Sequence, residues 1–307
     1  MVGVSPTMRE VFLRIRQVAP AGTPVLFTGE PGTGKACAAA ALHAISRRNT
    51  GPFVCVDCAA LSERYAENEL FGNDDGIKGK FGEATYGTVF LDEITALAPW
   101  IQLRLLQILQ EHSFTRPGGG NSIPVDVRIL AATSGNVESS VASGALRKEL
   151  YYRISVFPIE LPPLRNRIED CLPLIDYFIK RYANSYCKRI SRISTQAAAL
   201  CTAWNWPGNV RELEHSIEHA VVVCSTSTIE ASDLPLALRS TGSRAAIPLS
   251  GTLKMRVRMV EIAAITEALI EVGGNLKAAA KSLGCTMRIL RYKMKVLGID
   301  GETFKQP

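Results

Sequence analysis

One short segment constrains this chain more than any other: residues 29–35 read Gly-Glu-Pro-Gly-Thr-Gly-Lys. They fit the G-x-x-x-x-G-K signature of a phosphate-binding loop, which requires a strand before it and a helix after it. An apolar run at residues 25–28 and an alanine-rich stretch at residues 35–45 supply that context. Glycines let the backbone aim several N–H groups at one phosphate, and the helix start adds its dipole. The segment therefore predicts a nucleotide site.

The candidate phosphate-binding residues are those of the loop and the residue after it: Gly29, Glu30, Pro31, Gly32, Thr33, Gly34, Lys35 and Ala36. Ala36 stands where a Mg²⁺-binding Ser or Thr is usual. Residues 88–93 (Thr-Val-Phe-Leu-Asp-Glu) read as an apolar strand that ends in two acids. Asp92 is expected to hold the Mg²⁺ of an ATP complex, directly or through water, and Glu93 to polarise the attacking water.

The order of apolar segments predicts an α/β fold followed by helical parts. Strands alternating with helices favour a parallel sheet, and after residue 161 the periodicity becomes helical with no convincing strand. The predicted strands are residues 25–28, 53–57, 89–91, 125–132 and 156–159, and the predicted helices include residues 35–45 and 99–111. The predicted organisation is a nucleotide-binding part at 1–160, a helical part at 161–236, a linker at 237–252 and a last helical domain at 253–307.

Composition excludes several classes of protein. With 47% hydrophobic and 21% charged residues the chain is typical of a globular protein. No apolar run approaches the roughly 18 residues of a membrane helix, and residues 1–10 lack the features of a secretory signal. A cytoplasmic protein without a membrane partner is expected.

Positive charge is concentrated at the C-terminal end. Residues 253–307 carry 10 basic and 5 acidic side chains, in a chain whose net charge is +6. Such an asymmetry indicates an anionic partner, most often nucleic acid. A short helix at residues 276–283, a turn at Gly284 and a second helix at residues 287–297 match a helix-turn-helix, whose second helix enters the major groove of double-stranded DNA.

Within that second helix, Ile289 or Leu290 is expected on the apolar face together with Met294 and Leu297. The basic side chains are then free to face outward, with Thr286 as the N-cap. The candidate DNA-binding residues are Thr286, Arg288, Arg291, Tyr292 and Lys293.

Four motifs carry a resemblance to a known family. They are residues 68–72 (Asn-Glu-Leu-Phe-Gly), 87–94 (Gly-Thr-Val-Phe-Leu-Asp-Glu-Ile), 161–165 (Leu-Pro-Pro-Leu-Arg) and 206–213 (Trp-Pro-Gly-Asn-Val-Arg-Glu-Leu). They resemble the AAA+ domain of bacterial enhancer-binding proteins, the NtrC/NifA-type activators that work with sigma-54, over about residues 4–236. Residues 253–307 are similar to the Fis-type helix-turn-helix of that family. The resemblance implies an AAA+ P-loop NTPase domain with a parallel sheet, a helical lid and an all-α DNA-binding domain.

The resemblance also implies roles for single residues. Lys35, Asp92 and Glu93 would form the core of an ATPase that uses ATP and Mg²⁺. Arg147 and Arg153 fall where the family has arginine fingers that enter a neighbouring subunit's site. Arg211 falls at the sensor II position, which reaches the nucleotide from the lid. The implied partners are inverted-repeat DNA, RNA polymerase holoenzyme, and further copies of the chain in a dimer or a hexameric ring.

The chain also departs from the family pattern. The GAFTGA loop that contacts sigma-54 is expected to be missing, since only residues 73–78 separate Gly72 from the next motif, and a protein without the family's N-terminal sensory domain is expected. Asp57 replaces an Asn that can hold the catalytic Glu, and Ser134 replaces the Asn of sensor I. The preferred interpretation is an ATP-binding, DNA-binding transcription regulator that acts without sigma-54, with ATP hydrolysis that is weak or used for assembly.

Two alternatives stay open. The first is a sigma-54-dependent ATPase that uses a divergent loop, and the second is a regulatory paralogue without ATPase activity.

Overall fold

The computed structural model describes residues 1–62, 65–73, 78–115, 122–239, 261, 265, 268–269 and 275–297. The chain divides into two compact units, Met1–Ile193 with Asn205–Thr228, and Ser194–Trp204 with Ile229–Pro307. Within the described ranges, no helix combines the length and the apolar character needed to cross a membrane.

Five parallel strands form the sheet of the first unit, in the order β2-β3-β6-β1-β7. A separate antiparallel hairpin pairs β4 with β5. The strands are β1 (Val25–Thr28), β2 (Phe53–Asp57), β3 (Thr88–Asp92), β4 (Ser113–Thr115), β5 (Ser122–Pro124), β6 (Arg128–Thr133) and β7 (Phe157–Glu160), followed by the two-residue strands β8 (Arg192–Ile193) and β9 (Thr228–Ile229).

The α-helices are α1 (Pro6–Val18), α2 (Lys35–Ala44), α3 (Ala66–Phe71), α4 (Lys80–Glu83), α5 (Pro99–Glu111), α6 (Val137–Ala142), α7 (Lys148–Ile154), α8 (Cys171–Ser185), α9 (Thr195–Ala203), α10 (Asn209–Val223), α11 (Leu236–Arg239), α12 (Leu276–Ser282) and α13 (Met287–Leu297). Short 3₁₀ turns lie at Ile94–Ala96, Leu164–Asn166, Ile168–Asp170 and Ala231–Asp233. Several helices begin at a side-chain cap. At α1, for example, the Ser5 hydroxyl accepts a hydrogen bond from the N–H of Met8, and Pro6 fills the first helical position.

Both faces of the sheet are buried, and each packs against its own apolar cluster. Neighbouring residues of one strand enter different clusters, because successive side chains point to opposite faces. Leu26 and Leu91 pack into one apolar cluster, which also contains the buried apolar side chains of α5 and α7. Phe27 and Phe90, one residue away in each strand, pack into a second cluster with α1 and α2. This packing fixes the carboxyl ends of β1, β3 and β6 at one edge of the sheet.

The predicted α/β fold with a parallel sheet is confirmed, with small differences in the bounds. Residues 125–127 were expected to be part of a strand, but β6 begins at Arg128 because the N–H of Val125 donates to the carbonyl of His112. β8 lies in the part where no strand is expected, and α11 overlaps the start of the predicted linker. The rest of that linker, and residues 74–77 within the predicted shortened loop, lie outside the described residues.

In the second unit, α12 and α13 pack through Ala279, Ala280, Leu290 and Met294 into one apolar cluster. Leu290, and not Ile289, is the buried member of the pair left open by the sequence; Ile289 is 50% exposed. The turn between the helices uses a positive φ of 62° at Gly284, a conformation that glycine adopts at little cost. The described helices therefore have the helix-turn-helix arrangement that the sequence predicts.

Candidate nucleotide site

A cavity of about 330 Å³ opens at the carboxyl edge of the sheet. It contains Lys35, Asp92, Glu93 and Arg211, which the sequence places in one site. Its lining residues are Pro31, Gly32, Gly34, Lys35, Ala36, Cys37, Asp57, Ala59, Asp92, Glu93, Ser134, Val210, Arg211 and Glu214. A volume of this size suits a small-molecule ligand.

Lys35 is the buried cation of the cavity, 6% exposed. Its Nζ donates to the carbonyl oxygens of Gly29 at 2.9 Å and Glu30 at 3.4 Å, and to the hydroxyl of Ser134. Burial lowers the pKa of this ammonium, while the negative charges of Glu93 and Asp92 oppose that effect. Lys35 therefore links the phosphate loop, through Gly29 and Glu30, to Ser134 at the end of β6.

Asp92 is the last residue of β3, and one of its carboxylate oxygens has no hydrogen-bond partner. Its Oδ1 is buried without a hydrogen bond, one of two such side-chain atoms among the described residues. Burial raises the pKa of this carboxyl, and the nearby charge of Lys35 works against the increase. An unsatisfied carboxylate oxygen in a polar cavity fits a Mg²⁺ ion, which prefers oxygen ligands and keeps several waters. Ala36 offers no side-chain oxygen, so Asp92 is the protein group that would hold such an ion.

Glu93 lies just beyond β3 in a left-handed backbone conformation, with φ of 54° and ψ of 53°. Its carboxylate is 3.7 Å from Lys35 Nζ. Ser134 donates to it twice, from its N–H to Oε2 at 2.9 Å and from its hydroxyl to Oε1. Asp57, on the other side of β3, instead accepts at its Oδ1 the N–H of Ala59 at 3.0 Å.

The first residues of α10 pack directly on the phosphate loop. The N–H groups of Val210 and Arg211 donate to the carbonyl of Gly32 at 3.0 and 3.3 Å. The approach is close, because a Cβ on Gly32 would lie 2.3 Å from the carbonyl oxygen of Gly208. This contact sets Arg211 at the cavity.

Three further side chains hydrogen-bond to the phosphate loop: Asn209, Arg165 and Arg167. Asn209, fully buried, donates to Glu30 Oε2 at 3.1 Å and to the Pro31 carbonyl at 3.0 Å, and accepts from the N–H of Leu164. Arg165 forms a two-pronged ion pair with Glu30, and these donors lower the pKa of Glu30 to about 2. Arg167 donates to the carbonyl of Thr33 at 2.8 Å. Glu30 and Thr33 thus do not line the cavity, and their contacts instead hold the loop against Asn209, Arg165 and Arg167.

The two candidate arginine fingers do not line the cavity of their own chain. Arg147 is half-buried and its Nε donates to the carbonyl of Pro99 at 3.3 Å. Arg153 is exposed in the last turn of α7.

The candidate DNA-binding residues lie on α13 and at its start. Arg288, Arg291 and Tyr292 are exposed, as expected. Thr286 is confirmed as the N-cap, since its hydroxyl accepts from the N–H of Ile289 at 3.3 Å. Lys293 is not free, because its Nζ pairs with Glu261 at 2.6 Å. Phosphate contact by Lys293 would compete with that ion pair.

Sequence reasoning missed how Ser134, Arg165 and Asn209 act. Ser134 was noted only as a substitution, although a polar residue after the strand next to β3 was the available signal for contact with Glu93. Arg165 and Asn209 lay inside motifs that carried the resemblance, but their joint contact with Glu30 depends on the tertiary fold and had no local signal.

Comparison with known proteins assigns each part of the chain. Residues 1–160 match the family described as the Sigma-54 interaction domain, residues 165–248 the AAA+ ATPase lid domain, and residues 256–297 the Fis family of bacterial regulatory proteins. The transcriptional regulatory protein ZraR of Klebsiella oxytoca is 43% identical over 302 residues, which are 96% of this chain and 68% of that protein. The nitrogen fixation protein AnfA of Azotobacter vinelandii is 39% identical over the whole chain and 59% of its own length.

Solved structures agree with this assignment. The crystal structure of NtrX from Brucella abortus in complex with ADP has a TM-score of 0.76 and 32% identity, covering 97% of this chain and 70% of that one. The chain therefore belongs to the family of transcriptional regulators that combine a sigma-54 interaction domain with a Fis-type DNA-binding domain.

Proposed function

We propose that this protein is an ATP-binding transcription regulator that binds double-stranded DNA and acts without sigma-54. The observation that supports ATP binding is the cavity lined by the phosphate loop together with Lys35, Asp92, Glu93 and Arg211. NtrX of Brucella abortus, similar to this chain over most of its length, crystallised with ADP and with ATP, which supports the proposal.

Each group has a chemical task in this proposal. The loop N–H groups and Lys35 bind the phosphates, and Arg211 adds a permanent positive charge from α10. Asp92 would hold the Mg²⁺ that enters with ATP, and that ion would neutralise phosphate charge. Glu93 orients the attacking water and takes its proton. Slow hydrolysis is expected, because the positions of Asp57 and Ser134 differ from the family pattern.

A thermal shift experiment tests the nucleotide half. A ligand that binds only the folded state raises the melting temperature by mass action, so millimolar ATP or ADP should stabilise the protein. Lys35→Ala should abolish that shift. An unchanged melting curve of the wild type at millimolar ATP contradicts nucleotide binding.

The proposed independence from sigma-54 is supported by the segment between Gly72 and Gly79, which is six residues long and contains no GAFTGA motif. A purified transcription assay should give no ATP-dependent open complexes with sigma-54 holoenzyme. The competing candidate, a sigma-54-dependent activator with a divergent loop, is favoured by the match of residues 1–160 to the Sigma-54 interaction domain. Open complexes in that assay would establish it and exclude our preference.

The proposal extends to partners. The Fis-type helices suit an inverted repeat bound by a dimer, and RNA polymerase holoenzyme is the expected target of the regulator. Arg147 and Arg153, absent from the lining of their own cavity, are available to a neighbouring subunit in a ring. Phosphate release separates this proposal from a paralogue without ATPase activity, which would release none.

A further inference from the structure

A second cavity, of about 400 Å³, opens at the opposite edge of the sheet from the nucleotide site. Two of its lining residues mark the place: Tyr86 lies two residues before β3, and Arg128 is the first residue of β6. Since β3 and β6 are parallel, their amino ends meet at one edge of the sheet. The two cavities have no lining residue in common.

The lining of this cavity is basic. It contains three arginines, Arg47, Arg48 and Arg128, and a single acid, Asp126, which gives a net charge of +2. Residues 1–252 as a whole carry only +1. Arg48 is already engaged with Asp126, because its Nη1 donates to the carbonyl at 3.2 Å and its Nη2 to Oδ1. Arg47 and Arg128 therefore line the cavity without a carboxylate partner among the residues that the structure describes.

Arg128 is the buried cation of the cavity, 2% exposed. Its guanidinium donates to the carbonyl oxygens of Val18 at 2.9 Å, Ala19 at 2.8 Å and Thr23 at 3.2 Å. A guanidinium has five N–H groups, so some of its donors remain unused in the described part of the chain. Burial and the nearby charge of Arg48 lower the pKa of Arg128 to about 10. An anion in the cavity would offset the cost of a buried charge that has only neutral acceptors.

Tyr86 adds an aromatic side chain to the same lining. It is 70% exposed, and its hydroxyl has no hydrogen bond within the described ranges. Its backbone has a positive φ of 63°, which a bulky residue rarely adopts. Packing of the ring does not explain this conformation, since the side chain is largely in solvent. Strained backbone of this kind is concentrated at ligand-binding sites.

We propose that this cavity binds a small phosphate monoester that carries an aromatic ring. Such a group has a charge of roughly −2 at neutral pH, which matches the net charge of the lining. Its oxygens suit the planar guanidinium groups of Arg47 and Arg128, which can donate paired hydrogen bonds to one phosphate. The ring of Tyr86 stacks on the ring of the ligand. The site goes beyond the proposed function and does not depend on it.

A titration of the full-length protein with phenyl phosphate, followed by ³¹P NMR, tests the site. Every protein in the series carries Lys35→Ala, so that the phosphate loop contributes little to the signal. Arg47→Ala and Tyr86→Gly are the test variants, and both side chains are exposed, so the fold should survive their loss. Arg189→Ala is the matched control, because that arginine is exposed and does not line the cavity.

The expected result is a loss of affinity confined to the cavity variants. Arg47→Ala should weaken phenyl phosphate binding about fivefold, as for a partly exposed ion pair. Tyr86→Gly should weaken it about threefold through lost stacking. The same variant should melt no lower than the Lys35→Ala parent, because glycine adopts a positive φ without strain. Arg189→Ala should bind like the parent.

Three further ligands define the chemistry that is recognised. Inorganic phosphate should bind the parent more weakly than phenyl phosphate does, and this difference should vanish in Tyr86→Gly. AMP and O-phosphotyrosine carry the same phosphate on a nucleoside and on a phenol. The tighter of the two identifies which kind of ring the cavity takes.

Other outcomes overturn the proposal. If phenyl phosphate does not bind the parent, the cavity is not a phosphate site. Equal affinities of the parent, Arg47→Ala and Tyr86→Gly would place the bound phosphate elsewhere on the protein. Equal affinities of the parent for inorganic phosphate and phenyl phosphate would exclude the aromatic ring. None of these results bears on ATP binding, which the thermal shift experiment tests separately.

Discussion

At the scale of single residues, the nucleotide cavity has more acidic than basic side chains in its lining. Lys35 and Arg211 supply two positive charges, while four carboxylates belong to the same lining: Asp57, Asp92, Glu93 and Glu214. Asp92 also has an oxygen without a hydrogen-bond partner. An incoming anion therefore meets a site in which acidic groups oppose it until a cation accompanies it.

Asp57→Asn should strengthen ATP binding. The substitution removes one negative charge near the phosphates, and its amide oxygen can still accept the N–H of Ala59. The gain should be about two- to fivefold in affinity at low salt and should shrink as salt screens the charges. Titrations at two ionic strengths measure it, with the exposed Asp176→Asn as control. Equal affinities for Asp57→Asn and wild type would place Asp57 outside the electrostatics of the site.

At the scale of elements, the phosphate loop and α10 behave as one assembly. Gly32 adopts a φ of 77°, and its carbonyl accepts the N–H groups of Val210 and Arg211. Arg211 therefore reaches the cavity because the helix that carries it begins on the loop.

Gly32→Ala should disrupt this contact. The new Cβ would lie 2.3 Å from the Gly208 carbonyl, and the positive φ adds strain. We expect a loss of about 1–3 kcal/mol in the free energy of unfolding, together with weaker ATP binding. Chemical denaturation measures the first and titration the second. Gly22→Ala is the control, since nothing lies within 4 Å of its added Cβ. A Gly32→Ala protein with wild-type stability and affinity would contradict the close packing.

The exposed face of α13 carries a second element-scale prediction. Arg291→Ala should weaken DNA binding, because each phosphate neutralised by a basic side chain releases counterions. If Arg291 contacts only phosphate, the loss is equal on specific and random DNA and the salt slope becomes shallower. If it contacts a base, specific binding suffers more, by about 1–3 kcal/mol. Salt titrations on both DNAs distinguish these outcomes, with the exposed Arg189→Ala as control. Unchanged binding to both DNAs would remove Arg291 from the interface.

The elements themselves were largely predictable from sequence, while the contacts between their ends were not. β1, β2 and α5 have the predicted bounds, since apolar runs bounded by turn residues and a proline helix start are local signals. The orientation of the Glu93 side chain depends on the positive φ of that residue and on the residues that end β2 and follow β6. The pairing of Lys293 with Glu261 likewise depends on how two distant segments meet. Such contacts are set by tertiary packing, which leaves no periodic pattern in the sequence.

At the scale of the whole molecule, the nucleotide cavity and the basic helix belong to different compact units. All residues that line the cavity lie in the first unit, and α13 lies in the second. The two binding activities are therefore expected to be separable.

Removal of residues 251–307 should abolish specific DNA binding and preserve the stabilisation by ATP. The deleted segment carries most of the net positive charge, and the cavity does not use it. Gel-shift titration and thermal shift of the truncated protein measure the two properties side by side. Full-strength specific DNA binding after the truncation would reassign the DNA interface to another part of the chain.

The filled hydrogen bonds of Lys35 have a consequence for ligand choice in a crowded cell. Its ammonium already has three protein oxygens as acceptors: the carbonyls of Gly29 and Glu30 and the hydroxyl of Ser134. A ligand must replace some of these acceptors, so binding is an exchange and not a simple addition. Small anions such as sulfate or inorganic phosphate recover little from that exchange, whereas a nucleotide also gains the loop and α10. We therefore expect the protein to bind a nucleotide at this loop in preference to abundant simple anions.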